Sequence, residues 1–96
     1  MKKVIFTEKA PAAIGPYSQA IEANGMVFVS GQLPVDPATG EFAPGGVAEQ
    51  TTQSFENIKN ILAEAGLTTA HIVKTTVFLA DMALFADMNA VYAKYF

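Results

Sequence analysis

The dipeptide Asn24-Gly25 limits what this chain can fold into more tightly than any other feature. It lies between two apolar-rich runs, 17–23 and 26–30. An Asn-Gly pair in that setting is the strongest short-range hairpin signal, because both central residues of a type I′ turn need positive φ. The turn also fixes the register. Ala23 is expected to face Met26, and counting back along the ladder sets Ser30 opposite Gln19 and Gly31 opposite Ser18, which brings Tyr17 and Ser30 to the same end of the hairpin.

The remaining elements fall into place around this hairpin. Residues 2–6 read as a short opening strand, and Pro11, Gly15 and Pro16 impose a loop before the hairpin begins. Residues 32–46 carry three prolines and three glycines and read as a surface loop with a turn at Asp36-Pro37-Ala38-Thr39-Gly40. Val47, Thr51, Phe55, Ile58, Leu62 and Ala65 recur at helical spacing, with Glu49, Gln53, Glu56 and Asn60 off the stripe. An amphipathic helix is predicted there, ending at Gly66 as a left-handed cap. Residues 72–80 are apolar and β-branched on both alternating sets except for Lys74, which predicts a central strand covered on both sides. Asp81 can cap a last helix from about Met82, with Phe85, Met88, Tyr92 and Phe96 inward. That helix meets Tyr95-Phe96 without a glycine or a polar tail, so the expectation is a single domain over 1–96 that is truncated at its C-terminal side.

Composition narrows the function classes. A 96-residue chain supports one core and buries only roughly 60 to 65% of the surface its unfolded form exposes. With 51% hydrophobic residues and a mean hydropathy of +0.28, an oligomer is expected to hide the excess apolar surface. A net charge of −3 and a pI near 4.9, with no basic patch beyond Lys2-Lys3, exclude nucleic acid and anionic membrane as partners. No apolar run reaches membrane-span length and no signal-peptide core follows Met1, so a cytoplasmic location is expected. One histidine and no cysteine leave no metal site and no thiolate nucleophile. No glycine-rich loop joins a strand to a helix, so no nucleotide cofactor is expected. All six basic residues are lysines, and without arginine no planar fork can grip a carboxylate within these residues.

Three polar positions stand out. Asn89 falls three residues before Tyr92 and four after Phe85, which puts an amide inside the apolar face of the last helix. From the residues alone, a buried asparagine satisfying loop backbone is preferred to a binding role. Ser30-Gly31 reads either as an ordinary strand end or as a turn whose N–H groups face a ligand. Tyr17 directly follows Pro16, and its ring either closes the core or lines a pocket mouth. A triad of Ser30, His71 and an aspartate has no nucleophile-elbow sequence to support it.

Several separated motifs together resemble the RidA/YjgF family. They are residues 13–20 (Ala-Ile-Gly-Pro-Tyr-Ser-Gln-Ala), residues 27–34 (Val-Phe-Val-Ser-Gly-Gln-Leu-Pro), Asp36-Pro37 with Gly40, Glu49-Gln50-Thr51 with Asn57-Ile58, residues 73–79, and Met88-Asn89 with Tyr92 and Phe96. The resemblance covers the whole chain. It implies a chorismate-mutase-like α+β fold, a mixed sheet with two helices packed on one face, and a homotrimer with ligand clefts between subunits. It further implies cofactor-free hydrolysis of 2-imino acids to 2-keto acids and ammonia. Tyr17, Ser30, Gly31 and Asn89 would then be the substrate-binding positions. Members of the family usually continue for roughly thirty more residues, which carry a carboxylate-clamping arginine and a water-activating glutamate. Neither has a counterpart here, so no catalytic residue is identified within the chain and a 96-residue product is expected to be impaired. A non-catalytic small-carboxylate-binding module and a regulatory or chaperone-like trimer are the alternatives.

Overall fold

The computed structural model describes residues 2–96, which form an α+β arrangement of one antiparallel sheet and two helices. The hairpin is where the sequence puts it. Strand β2 (Ala20–Ala23) pairs with β3 (Met26–Val29) with Ala23 facing Met26 and Ala20 facing Val29. Between them Asn24 and Gly25 have φ of 53° and 78°, the two positive values a type I′ turn requires. Strand β1 (Lys3–Ile5) adds on the other side of β2, giving the order β1-β2-β3 with antiparallel pairing throughout.

Period-two alternation splits the sheet into two faces. Ile5 and Ala20 point inward and meet Ile61 and Ala10 in a small core, with Val27, Val29 and Ala65 packed against it. The opposite face carries the paired row Val4, Ile21 and Phe28, of which Val4 and Phe28 are 57% and 58% exposed. That outer face is apolar and bare.

The long helix α1 (Val47–Glu64) covers the inner face. Glu49 accepts the Gly46 N–H at 3.2 Å and so satisfies one donor that the helix start would leave open. At the other end Gly66 sits at φ 75°, its N–H donates to Ala63 and the Leu67 N–H donates to Leu62, which is the Schellman arrangement. The buried face of α1 is rotated from the predicted stripe. Phe55, Asn57, Ile61 and Leu62 are buried, whereas Val47, Thr51 and Ile58 are only partly covered. The rotation arises because Asn57 has carbonyl partners under the loop at 33–35, so an amide is as well accommodated there as an alkyl group.

Asp81 caps as expected, accepting the Ala83 N–H at 2.9 Å at a 3₁₀ turn over Met82–Leu84 that leads into α2 (Phe85–Tyr95). Helix α2 packs chiefly on α1 through Met88, Val91 and an aromatic cluster in which Phe55 stacks on Tyr95 at 4.8 Å and meets Tyr92 edge-on at 5.5 Å. Residues 72–80 are a correction. No strand among the described residues pairs with them, and Val73 and Phe78 are 86% and 93% exposed. Among the described residues their one side-chain hydrogen bond is that of Thr75, whose hydroxyl lies 2.6 Å from that of Tyr92. Their composition favours an extended backbone, but a ladder needs a neighbouring strand, and β1, β2 and β3 pair only with one another.

Candidate functional site

The hairpin register carries Ser30 one step beyond β3, where its N–H donates to the Gln19 carbonyl at 3.0 Å. Its hydroxyl donates to the Ser18 carbonyl at 2.6 Å. With the proton committed to Ser18, the oxygen presents lone pairs outward and is an acceptor for a ligand N–H. The Ser30 carbonyl in turn accepts from Gln32 Nε2 at 3.3 Å. The next residue, Gly31, is exposed, and its N–H takes no part in the turn and loop hydrogen bonds among the described residues. Tyr17 is half exposed at the same end, its N–H donating to Gly15 at 2.9 Å in a tight turn after Pro16.

This cluster offers an acceptor in Ser30 Oγ, a backbone donor in Gly31 and an amphipathic ring in Tyr17, with no charged group among them. It can orient a small planar polar molecule. It contains no carboxylate, imidazole or amine side chain. The serine-histidine alternative finds no support in the geometry, since Ser30 Oγ bonds to Ser18 while His71 Nδ1 accepts the Thr68 N–H at 3.0 Å. Among the described residues, no group of three or more His, Asp or Glu converges as metal ligands would.

Asn89 is placed differently from the expectation. It is exposed, not buried in the apolar face, because α2 turns Met88, Val91, Tyr92 and Tyr95 towards α1, with Phe96 edge-on to Phe55 at 5.7 Å, and leaves Phe85 and Asn89 on the adjoining outer stripe. The sequence permits either arc. Tyr95 decides between them by donating to Glu56 Oε2 at 2.7 Å and stacking on Phe55. Tyr17, Ser30 and Gly31 therefore gather at one end of the hairpin, and Asn89 stands on a helix whose main partner is α1. Two shallow clefts among the described residues lie along α1 and α2, and neither includes any of these four residues.

The sequence reading missed two fully buried amides. Gln19 accepts the Thr7 N–H at 2.8 Å and donates to the carbonyls of Thr7, Ala10 and Pro11. Asn57 donates to the carbonyls of Leu33 and Val35 at 3.2 and 2.9 Å and accepts from Gln53 at 2.9 Å. Only the proximity of each to a proline- or glycine-rich loop hinted at this. Such loops leave carbonyls unpaired, and a buried amide nearby is the usual remedy.

A family described as endoribonuclease L-PSP matches residues 7–96. A solved Rid family protein from Yersinia pestis is 46% identical and superimposes with a TM-score of 0.97 over 100% of this chain and 76% of that one. The chain belongs to the RidA/YjgF family. Another relative, the 2-iminobutanoate/2-iminopropanoate deaminase of Mus musculus, is 49% identical over 96 residues, covering 100% of this chain and 71% of that protein. TdcF from E. coli, solved with bound serine, is 49% identical with a TM-score of 0.93, covering 98% of this chain and 73% of that one. As a RidA/YjgF family member the chain has the expected α+β fold.

Proposed function

We propose that this protein hydrolyses reactive 2-imino acids to 2-keto acids and ammonia without a cofactor. The observation that supports the reading most is the near-half identity, along the whole chain, to a protein named as a 2-iminobutanoate/2-iminopropanoate deaminase. The chemistry suits a site made of orienting groups. An imine carbon conjugated to a carboxylate is already electrophilic, water adds to it to give a carbinolamine, and collapse of that adduct expels ammonia and leaves the ketone. Orientation of substrate and water accounts for most of the assistance required. In this reading Ser30 Oγ accepts from the imine N–H, the Gly31 N–H donates to a substrate oxygen, and the Tyr17 ring covers the bound molecule.

Two further elements belong to the same proposal. Asn89 serves the wall of a cleft formed between subunits, since it stands on α2, apart from the hairpin end that carries Tyr17, Ser30 and Gly31. The bare row of Val4, Ile21 and Phe28, with Phe6 57% and Met26 50% exposed, is the face through which copies associate into a homotrimer. No helix among the described residues is long and apolar enough to cross a membrane, and a cytoplasmic location goes with this function.

Residues 1–96 contain no guanidinium, so they hold the substrate carboxylate without a charge-paired fork. A polypeptide confined to these residues is expected to turn over roughly two to four orders of magnitude more slowly than the mouse relative. The test generates the imine in situ from an amino acid with a dehydratase and follows keto-acid release. The encoded product, its end fixed by intact mass and by the coding sequence after Phe96, is compared with the 1–96 polypeptide. No acceleration over buffer by an encoded product that carries an arginine would end the deaminase reading, and brisk turnover by the 1–96 polypeptide would end the argument about the missing guanidinium.

The serine bound in TdcF favours a second reading, a small-carboxylate-binding module without turnover. Calorimetry with short 2-keto acids tests it, and no heat at millimolar ligand counts against it.

A further inference from the structure

We infer that Gln19 is the positioning residue of the candidate site. It is 2% exposed and its amide is saturated with bonds to a single stretch of chain, residues 7–11. Oε1 takes the Thr7 N–H at 2.8 Å, and Nε2 gives to Pro11 at 2.8 Å, Thr7 at 3.0 Å and Ala10 at 3.3 Å. The bond to Pro11 closes a loop whose other end is Gln19 itself. That loop carries Tyr17 and the Ser18 carbonyl that holds the Ser30 hydroxyl. On the other side, the backbone carbonyl of Gln19 accepts the Ser30 N–H. One residue thus fixes the ring, the hydroxyl rotamer and the turn relative to one another, while its own amide is engaged by residues 7–11. The inference rests on the proposed site at the hairpin end.

The chemistry of the clasp is specific to a carboxamide. Three carbonyls face one NH₂ group and one N–H faces one oxygen, so the donor and acceptor ends cannot be exchanged. Glutamate has the same shape and keeps the oxygen for Thr7, but it sets a second oxygen against three carbonyls. As an anion it repels them. Protonated, it regains one donor, and burial beside those carbonyls raises its carboxyl above the usual carboxylate range. The charged side chains of the clasped stretch, Glu8 and Lys9, are both exposed.

The experiment uses the full chain, its Gln19→Glu and Gln19→Met variants, and Phe55→Leu as a control weakened in the helix-helix cluster away from the hairpin. Amide resonances are recorded below the unfolding transition, first without ligand and then during titration with 2-ketobutyrate. In both Gln19 variants the Tyr17, Ser18, Ser30 and Gly31 resonances are expected to move before any ligand is added, and 2-ketobutyrate affinity to fall about tenfold or more. In Gln19→Glu part of that loss is recovered on acidification. Phe55→Leu is expected to lose comparable thermal stability with unmoved hairpin-end resonances and affinity within about twofold of the parent. If Gln19→Glu does not fold at neutral pH, Gln19→Met carries the test, since it removes the amide without adding charge. Unmoved hairpin-end resonances in a folded Gln19 variant, or an affinity loss of equal size in the control, overturns the inference. A parent chain that binds no 2-ketobutyrate tells against the functional reading, while the ligand-free resonances still decide the role of Gln19.

Discussion

Replacing Asn57 with leucine removes three hydrogen bonds while keeping the number and branching of the side chain's heavy atoms. Asn57 is wholly buried, and its amide ties α1 to the loop through Leu33 and Val35 and to the preceding helical turn through Gln53. Each bond contributes about 1 kcal/mol. The extra apolar burial of leucine offsets about 1 kcal/mol of the loss, so a net destabilisation of about 2 kcal/mol is expected. In a domain of this size that lowers Tm by about 8 to 16 °C. The urea midpoint should fall with an unchanged m-value, because the same surface is exposed on unfolding. A local signature accompanies the global one. Loss of the latch frees the strip where Val35 bridges Phe42, so the amides of Asp36 and Ala43, bonded to Glu41 and Pro34, should exchange faster than the rest of the molecule. A stability loss below about 0.5 kcal/mol, or unchanged exchange at Asp36 and Ala43, would refute the reasoning that these bonds carry the loop.

Three further outcomes are expected. Gly25→Ala puts a side chain at φ 78° with nothing within 4 Å of its Cβ, so the cost is backbone strain alone, about 1 to 2 kcal/mol by urea titration, and a neutral result would contradict the turn assignment. Burial first, then the hydrogen bond to Glu56 and its charge, push the Tyr95 phenol from 10.0 up to about 12. A folded value above the unfolded one means its contribution is complete below pH 10 and is lost as pH climbs towards 12, so Tyr95→Phe should flatten that alkaline loss of stability, and parallel pH curves would exclude it. Phe28→Glu sets a charge in the middle of the bare sheet face and should shift the proposed homotrimer to monomers in sedimentation, whereas an unchanged oligomer places the interface elsewhere.

What could be read from the residues was what local chemistry decides. Asn24-Gly25 fixed the turn and with it the placement of Ser30 beside Gln19, Gly66 ended α1, and Asp81 began the last helical segment. What escaped were choices made by distant partners. Asn57 looks like one more polar residue on a helix until the carbonyls of Leu33 and Val35 are laid over it. The apolar residues of α2 fit two overlapping arcs, and the contact of Tyr95 with Glu56 and Phe55 selects the one that leaves Asn89 outside. Residues 72–80 declare an extended backbone in their β-branched composition but say nothing of what lies alongside.

That same stretch bears on how the protein behaves in the tube. From Val73 to Ala80 no backbone amide takes part in a turn or loop hydrogen bond among the described residues, Phe78 stands almost wholly in water, and Lys74 is the single charge. Two molecules meeting there could template one another, with the repulsion between facing ammonium groups as the main deterrent. Salt shortens the reach of that repulsion to about 8 Å at physiological ionic strength, so dilute buffers lengthen the shelf life of a concentrated stock and saline ones shorten it.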